Sequence, residues 1–302
     1  MGGRTPGEAM KVGVQLPEVE RVVRWPEVAR MARLVEDSGF DSIWVGDHLL
    51  YEEDGVRSGP WEAFTQLAAI AAVTKRVEIG PLVAAQPFHE PTILAKQAAT
   101  VDEISGGRLT LGLGAGWNRL EFDAFGLPYD KRVSRFAEGF EIIRRLLAGE
   151  TVTFHGDFYD VDECVLLPPS NRPGGPPLMI GSNSERMLSI TLPHVASWNS
   201  WFTDFGNDPA RLPALVAKIE EACHLAGRDP ATLDKTVALL FELPGAGGRR
   251  LSRNPIQGDV EAMAEAMRQV AAAGIDGIQL VLDPIDEQSI ATMADVLAAF
   301  RG

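Results

Sequence analysis

Ile43-Trp44-Val45-Gly46-Asp47-His48 is a short apolar run that turns polar at its last two residues. Arg108-Leu109-Thr110-Leu111-Gly112-Leu113-Gly114-Ala115-Gly116-Trp117 repeats the plan, a buried strand ending in a glycine cluster with a large aromatic just beyond. In parallel α/β proteins the carboxyl ends of strands are where chemistry collects, so two such ends point to one shared mouth. Working outward, apolar runs at 11–16, 42–46, 77–84, 109–114, 178–181, 195–199, 236–242 and 277–282 read as buried parallel strands. Amphipathic stretches between them carry helix punctuation: 26–38 closes on Gly39, a helix opening at Pro91 ends before Gly106-Gly107, and 259–273 stops at Gly274. Eight strand candidates predict an α/β fold, a (β/α)8 TIM barrel with insertion segments. It would occupy 11–302 as one domain, behind a disordered N-terminal extension at 1–10. No Gly-x-Gly-x-x-Gly follows the first strand, which argues against a Rossmann fold.

The helix-to-strand junctions repeat. Val35-Glu36-Asp37-Ser38-Gly39-Phe40-Asp41-Ser42-Ile43 and Ala271-Ala272-Ala273-Gly274-Ile275-Asp276-Gly277-Ile278 share a glycine stop, an apolar residue that packs, an Asp and a strand start. Such recurrence fits a ring of βα units. Three segments break the alternation: 118–135, 151–177 and 243–257 are long connections rich in Gly, Pro and aromatics. Within the second, 151–161 reads as a β-hairpin turning at His155-Gly156-Asp157. Long connections in compact domains are usually lids or disordered, and the aromatics here favour folded lids over the site.

Composition narrows the function classes. The 302 residues are 45% hydrophobic and 23% charged, which is ordinary for a soluble globular chain. The formal net charge of -14 repels phosphate backbones and argues against a nucleic-acid partner. No run approaches the roughly 18 apolar residues of a membrane span, and 1–10 lacks the apolar centre of a signal peptide. Cys164 and Cys223 have no metal-binding spacing, and reduced thiols in a cytoplasmic protein are the simplest reading.

His48 is the strongest chemical candidate. A histidine at a barrel strand end can hydrogen-bond a bound ring or move a proton near neutral pH. Asp47 would orient a ligand or cap the following turn; the alternative is a satisfied buried histidine with a capping aspartate. The other histidines, His89, His155, His194 and His224, form no metal-ligand spacing, and no Gly-x-Ser-x-Gly elbow is present, so metal hydrolysis and serine nucleophilic catalysis are disfavoured. Gly112 to Gly116 would let backbone approach a flat ligand, with Trp117 as a wall, or would simply pack where strands crowd. In Pro177-Leu178-Met179-Ile180-Gly181-Ser182-Asn183-Ser184-Glu185 a strand ends and a helix begins, which suits a phosphate or an ordinary N-cap. Pro81 interrupts the ladder of an apolar strand, suggesting a bulge beside a site.

Taken in order, these segments resemble the bacterial luciferase-like superfamily, in particular its deazaflavin-dependent oxidoreductases. The resemblance runs from Lys11 to about Leu282. Its most specific pieces are Gly39-Phe40-Asp41-Ser42-Ile43-Trp44-Val45-Gly46-Asp47-His48 and Ala95-Lys96-Gln97-Ala98-Ala99-Thr100-Val101-Asp102-Glu103-Ile104-Ser105-Gly106-Gly107-Arg108. The second runs into Leu111 to Asn118, and Glu121-Phe122-Asp123-Ala124-Phe125-Gly126 follows at family spacing. The resemblance implies a flavin-type ring at the carboxyl mouth, with His48 near its reactive face. It implies a non-proline cis peptide at Leu82-Val83 beside Ala84, ring contacts from Gly114, Gly116 and Trp117, a phosphate turn at Gly181-Ser182-Asn183, and Gln15 near the ring edge or barrel floor. Two departures stand out: Gly181-Ser182 replaces a glycine pair, and Val195-Ala196-Ser197-Trp198-Asn199 lacks the aspartate common in relatives.

The implied function is hydride transfer between a deazaflavin, the 8-hydroxy-5-deazaflavin coenzyme F-420, and a small organic substrate. His48 would donate or accept the proton, Asp47 would orient it, and Trp117 with the lids would exclude water. Arg249, Arg250 and Arg253 would meet the coenzyme's acidic tail or form a solvated loop face. The alternatives are an FMN-dependent monooxygenase and a non-catalytic flavin-binding barrel. A homodimer is expected, since the family often pairs through barrel helices.

Overall fold

The structure, a computed structural model, describes residues 10–245 and 254–302. The apolar runs become eight parallel strands: β1 (Lys11–Gln15), β2 (Ser42–Val45), β3 (Glu78–Pro81), β4 (Leu111–Gly114), β5 (Leu178–Gly181), β6 (Ser197–Ser200), β7 (Asp234–Glu242) and β8 (Gly277–Asp283). Their hydrogen-bonded order is β3-β2-β1-β8-β7-β6-β5-β4. Beyond β3, Ala84–Ala85 pairs with Leu113 and Gly114 of β4, and Ile79 bridges Leu109, so the ring closes. The third strand is thus split: its first half pairs with β2, its second with β4, and Leu82-Val83 bulges between them.

Nine α-helices lie among the described residues: α1 (Trp25–Asp37), α2 (Ala63–Val73), α3 (Pro91–Ser105), α4 (Arg119–Phe125), α5 (Arg132–Leu147), α6 (Glu185–Thr191), α7 (Leu212–Leu225), α8 (Val260–Ala272) and α9 (Glu287–Arg301). None is long and apolar enough to cross a membrane. Inside the barrel, Trp44 fills the space left by glycines on its neighbours. A Cβ on Gly13 would meet Trp44 Nε1 at 2.8 Å, and one on Gly80 would meet Cζ3 at 2.7 Å.

The repeated junction has a physical basis. Gly39 and Gly274 take φ of +85° and +86°, the left-handed region that ends a helix without a Cβ clash. The following Asp then clamps the neighbouring strand. Asp41 Oδ2 accepts from Val12 N at 2.7 Å, and Asp276 Oδ2 accepts from Lys235 N at 2.9 Å. Asp41 N donates to Val12 O, and Asp276 N to Lys235 O, in the same pattern. The 95–108 signature is structural too. Arg108 donates to the closing carbonyls of α2, Ala71 O and Thr74 O, and to Val77 O; buried Asp102 accepts from Leu109 N and pairs with Arg172.

Several expectations need correction. Residues 1–9 lie outside the described residues, but Met10 is buried in the core rather than part of an extension. The hairpin forms as Val152–His155 with Asp160–Cys164, held against α5 and the turn after Ala85. Its turn donates backbone N–H groups to Glu138 on α5, and Tyr159 OH accepts from Gln86 Nε2. Segment 118–135 contains α4, and a second hairpin, Tyr51–Glu53 with Val56–Ser58, was not anticipated. Of 243–257, residues 246–253, with Arg249, Arg250 and Arg253, lie outside the described residues; Ile256 bridges Phe241.

Candidate active site

The site is built from the carboxyl ends of β1, β2, β3, β4 and β5 and the connections after them. Side chains alternate along an extended chain, so Asp47 and His48, adjacent at the exit of β2, face different partners. His48 Nδ1 lies 3.0 Å from both carboxylate oxygens of Glu121 on α4. Glu121 is fully buried and also accepts from Leu49 N at 2.6 Å and Leu50 N at 3.3 Å. Asp47 turns to His89, whose Nε2 is 2.8 Å from Oδ2, and accepts from Ala85 N at 2.8 Å. The expectation that Asp47 orients His48 is therefore corrected: Glu121 does so.

The other nitrogen of His48, Nε2, makes no hydrogen bond among the described residues; the nearest carboxylate oxygen, on Glu18, is 3.8 Å away. Glu18 follows β1 and accepts from Gln15 Nε2 at 3.2 Å and Tyr51 OH at 3.3 Å. Gly46 makes room for it, since a Cβ there would run into the Glu18 carboxylate. Tyr51 and Trp117 flank the imidazole, with ring centroids 4.6 Å and 5.9 Å away, and Trp117 is 63% exposed. Burial pulls the His48 pKa down, but the Glu121 hydrogen bond and the charges of Glu18, Glu121 and Asp47 outweigh it, leaving it above the ordinary histidine value. Burial, with Glu18 and Glu121 nearby, raises the Tyr51 pKa, so it stands as a neutral hydroxyl.

Next to the end of β2 lies the bulge, where Leu82 N donates to Val45 O at 2.8 Å. The Leu82-Val83 peptide is cis, as the resemblance implies. Val83 packs into a cradle that only glycines leave: a Cβ on Gly114 would meet Cγ2 at 2.8 Å, and one on Gly181 would meet it at 2.9 Å. These glycines thus make the room that Val83 occupies at the ends of β4 and β5. Gly116 takes φ +71° and its Cα faces Phe122, 2.9 Å from a would-be Cβ. Ala84 is buried in the ladder with Leu113.

The phosphate turn is less open than expected. Asn183 Nδ2 already donates to Ser200 Oγ at 2.9 Å and Asp204 Oδ2 at 2.8 Å, and Ser182 Oγ accepts from Ser184 N. Asp204 Oδ2 thus takes up the Asn183 amide donor, and it also accepts from Ser200 Oγ at 3.0 Å. Three buried acceptors lack donors among the described residues: Gln15 Oε1, Asn183 Oδ1 and, in the turn after Ala85, Gln86 Oε1. An orphaned amide oxygen at the end of β1 fits the ring N–H of a flavin or deazaflavin, and one at the end of β5 fits a side-chain hydroxyl of such a coenzyme. No group of three or more His, Cys, Asp or Glu able to hold a metal occurs among the described residues.

Sequence reasoning missed Glu18, Glu121 as a partner, Tyr51 and His89. Glu121 and His48 are 73 residues apart, so no local pattern joins them.

The family described as luciferase-like monooxygenase matches residues 10–244. A 5,10-methylenetetrahydromethanopterin reductase of Archaeoglobus fulgidus is 33% identical over 183 residues, 60% of this chain, and the match spans 50% of that protein's length. A pyrimidine monooxygenase, RutA of Enterobacter cloacae, is 28% identical over 263 residues, 80% of this chain and 71% of that protein. A solved F420-dependent secondary alcohol dehydrogenase, in complex with an F420-acetone adduct, superposes with a TM-score of 0.83 at 20% identity, covering 98% of this chain and 100% of that one. That likeness shows the shared barrel fold.

Proposed function

We propose, from the premise that this chain belongs to the luciferase-like monooxygenase family, that it is an oxidoreductase moving a hydride between coenzyme F-420 and a small organic substrate. The observation that carries this reading is His48, held at Nδ1 by Glu121 while Nε2 stays open at the mouth. When bound, a deazaflavin supplies a hydride donor or acceptor at its central ring. Gln15 Oε1 would hold the ring edge, Val83 would support one face, and Asn183 Oδ1 would accept from a side-chain hydroxyl. His48, protonated, hydrogen-bonds a substrate oxygen through Nε2–H and gives it a proton as the substrate is reduced; neutral, it takes that proton in the opposite direction. Glu121 fixes the ring and stabilises its charge, while Tyr51 and Trp117 flank the imidazole.

A monooxygenase, with FMN as its coenzyme, is the second reading; the monooxygenase part is supported by the pyrimidine monooxygenase that matches 80% of this chain. Visible-spectrum titration of the purified protein separates them. Saturable change with F-420 supports the first; saturation with FMN alone replaces it; neither response contradicts both. A cytoplasmic homodimer also belongs to this proposal. It is supported by two unpaired cysteines and by a groove of about 670 Å³ between the starts of α1 and α2, where Trp25 and Trp61 are exposed. Light scattering at several concentrations tests the dimer, and a mass of one chain throughout contradicts it.

A further inference from the structure

His89 takes no part in the chemistry described above, yet it is a buried titratable group bound to the residue next to His48. Its side chain is 15% exposed and that of Asp47 3%. Three elements meet on it. Asp47 from the exit of β2 lies 2.8 Å from Nε2, and Phe64 at the start of α2 packs edge-on with ring centroids 5.5 Å apart. Its own backbone N–H closes the turn on Gln86 O at 2.9 Å, and Gln86 Nε2 donates to its carbonyl. The charged groups acting on the ring are Asp47 and Glu62, the N-cap of α2.

One oxygen does two jobs in this arrangement. Asp47 Oδ2 receives both His89 and the N–H of Ala85, two residues beyond Val83. Asp47 precedes His48, and Val83, in the bulge of the neighbouring strand, packs against Gly114 and Gly181 at the ends of β4 and β5. The pair therefore adds a side-chain tie, beyond the β2–β3 ladder and the Leu82 N–H to Val45 O bond, between the strand end carrying the imidazole and the second half of the split strand. A buried carboxylate deprived of one donor keeps the desolvation cost without the bond. Removing His89 would leave the Ala85 contact carrying Asp47 alone.

We propose that His89 is a positioning residue, acting through Asp47 to fix the spacing between His48 and Val83 at the mouth. This rests on the functional reading for its catalytic consequence but not for its structural one. A purely supportive histidine would change stability alone; a positioning one also changes the mouth, and a side chain restoring the donor restores it.

The test compares the full chain with His89→Leu and His89→Gln, whose amide reaches toward Asp47 as Nε2 does. Melting is followed alongside amide hydrogen exchange over 82–88 in the cofactor-free protein, F-420 binding by fluorescence, and kcat and KM separately. For His89→Leu, folded, the expected result is faster exchange over 82–88 and F-420 binding weakened about tenfold or more, with kcat lowered beyond any change in substrate KM. His89→Gln returns exchange and binding to within about threefold of the parent. Unchanged exchange over 82–88 and unchanged binding in folded His89→Leu overturn the proposal, as does His89→Gln behaving like His89→Leu. If His89→Leu does not fold, His89→Asn, whose shorter amide falls short of Asp47, takes its place, and equal exchange in His89→Asn and His89→Gln overturns it. If the parent binds no F-420, the functional reading fails, and the exchange comparison still decides the role of His89.

Discussion

At the scale of single residues, the account turns on an imidazole whose two nitrogens have different partners. Replacing His48 by Ala should lower kcat about 10²- to 10⁴-fold, the range for a positioned proton-transfer group, with F-420 affinity changed by less than about threefold. Loss of binding with turnover preserved would contradict this role and favour a purely structural histidine. The pH profile gives a second check. Because the His48 pKa is raised in the folded protein, the protonated donor is fully present below the ordinary histidine value and is lost as pH rises through the raised one. Substrate reduction should therefore fall on the alkaline side, and Glu121→Gln should move that limb to lower pH. A limb that stays put in Glu121→Gln would show that another group sets it. His48 was legible because polarity changes abruptly at Gly46-Asp47-His48. Its partners were not, because Glu18, Glu121 and Tyr51 come from three separate connections that meet only in the folded mouth.

At the scale of elements, what the sequence makes plain is local. The glycine stops at Gly39 and Gly274, the openings at Pro91 and Asp259, and the apolar strand runs all follow from spacing and backbone preference. Asp276→Ala should leave Lys235 N–H without its acceptor and cost about 1–2 kcal/mol of unfolding free energy, measured by urea denaturation with an unchanged m-value. No measurable loss would mean the junction clamp is decorative. The split of the third strand was foreseeable at Pro81, but its consequence was not: glycines at the ends of β4 and β5 receive Val83. Gly114→Ala should accordingly displace Val83 toward the mouth, weakening F-420 binding while the fold survives. Equal binding in folded Gly114→Ala would show that Val83 does not line the site. Likewise, the hairpin after α5 carries lid-like aromatics, and Glu138 and Gln86 tie it to α5 and to the turn after the third strand, a long-range outcome that hairpin spacing cannot encode.

At the scale of the molecule, one closed ring brings five strand ends to a common mouth while its acidic surface faces solvent. Two buried histidines there, His48 and His89, both have pKa values raised in the folded state: burial lowers each, and neighbouring carboxylates more than compensate. Their stabilisation is complete below about pH 6.5 and disappears as pH rises through the raised values. The melting temperature should therefore decline across that window, and less steeply in a His48→Asn/His89→Gln double variant. Identical slopes would show that other groups govern the decline. All of this supposes that the mouth holds a tricyclic ring. A crystal structure of the protein soaked with coenzyme F-420 tests that most directly. The account predicts ring density against Val83, with His48 Nε2 on the side where substrate enters; density elsewhere, or an empty mouth at saturating coenzyme, would contradict it.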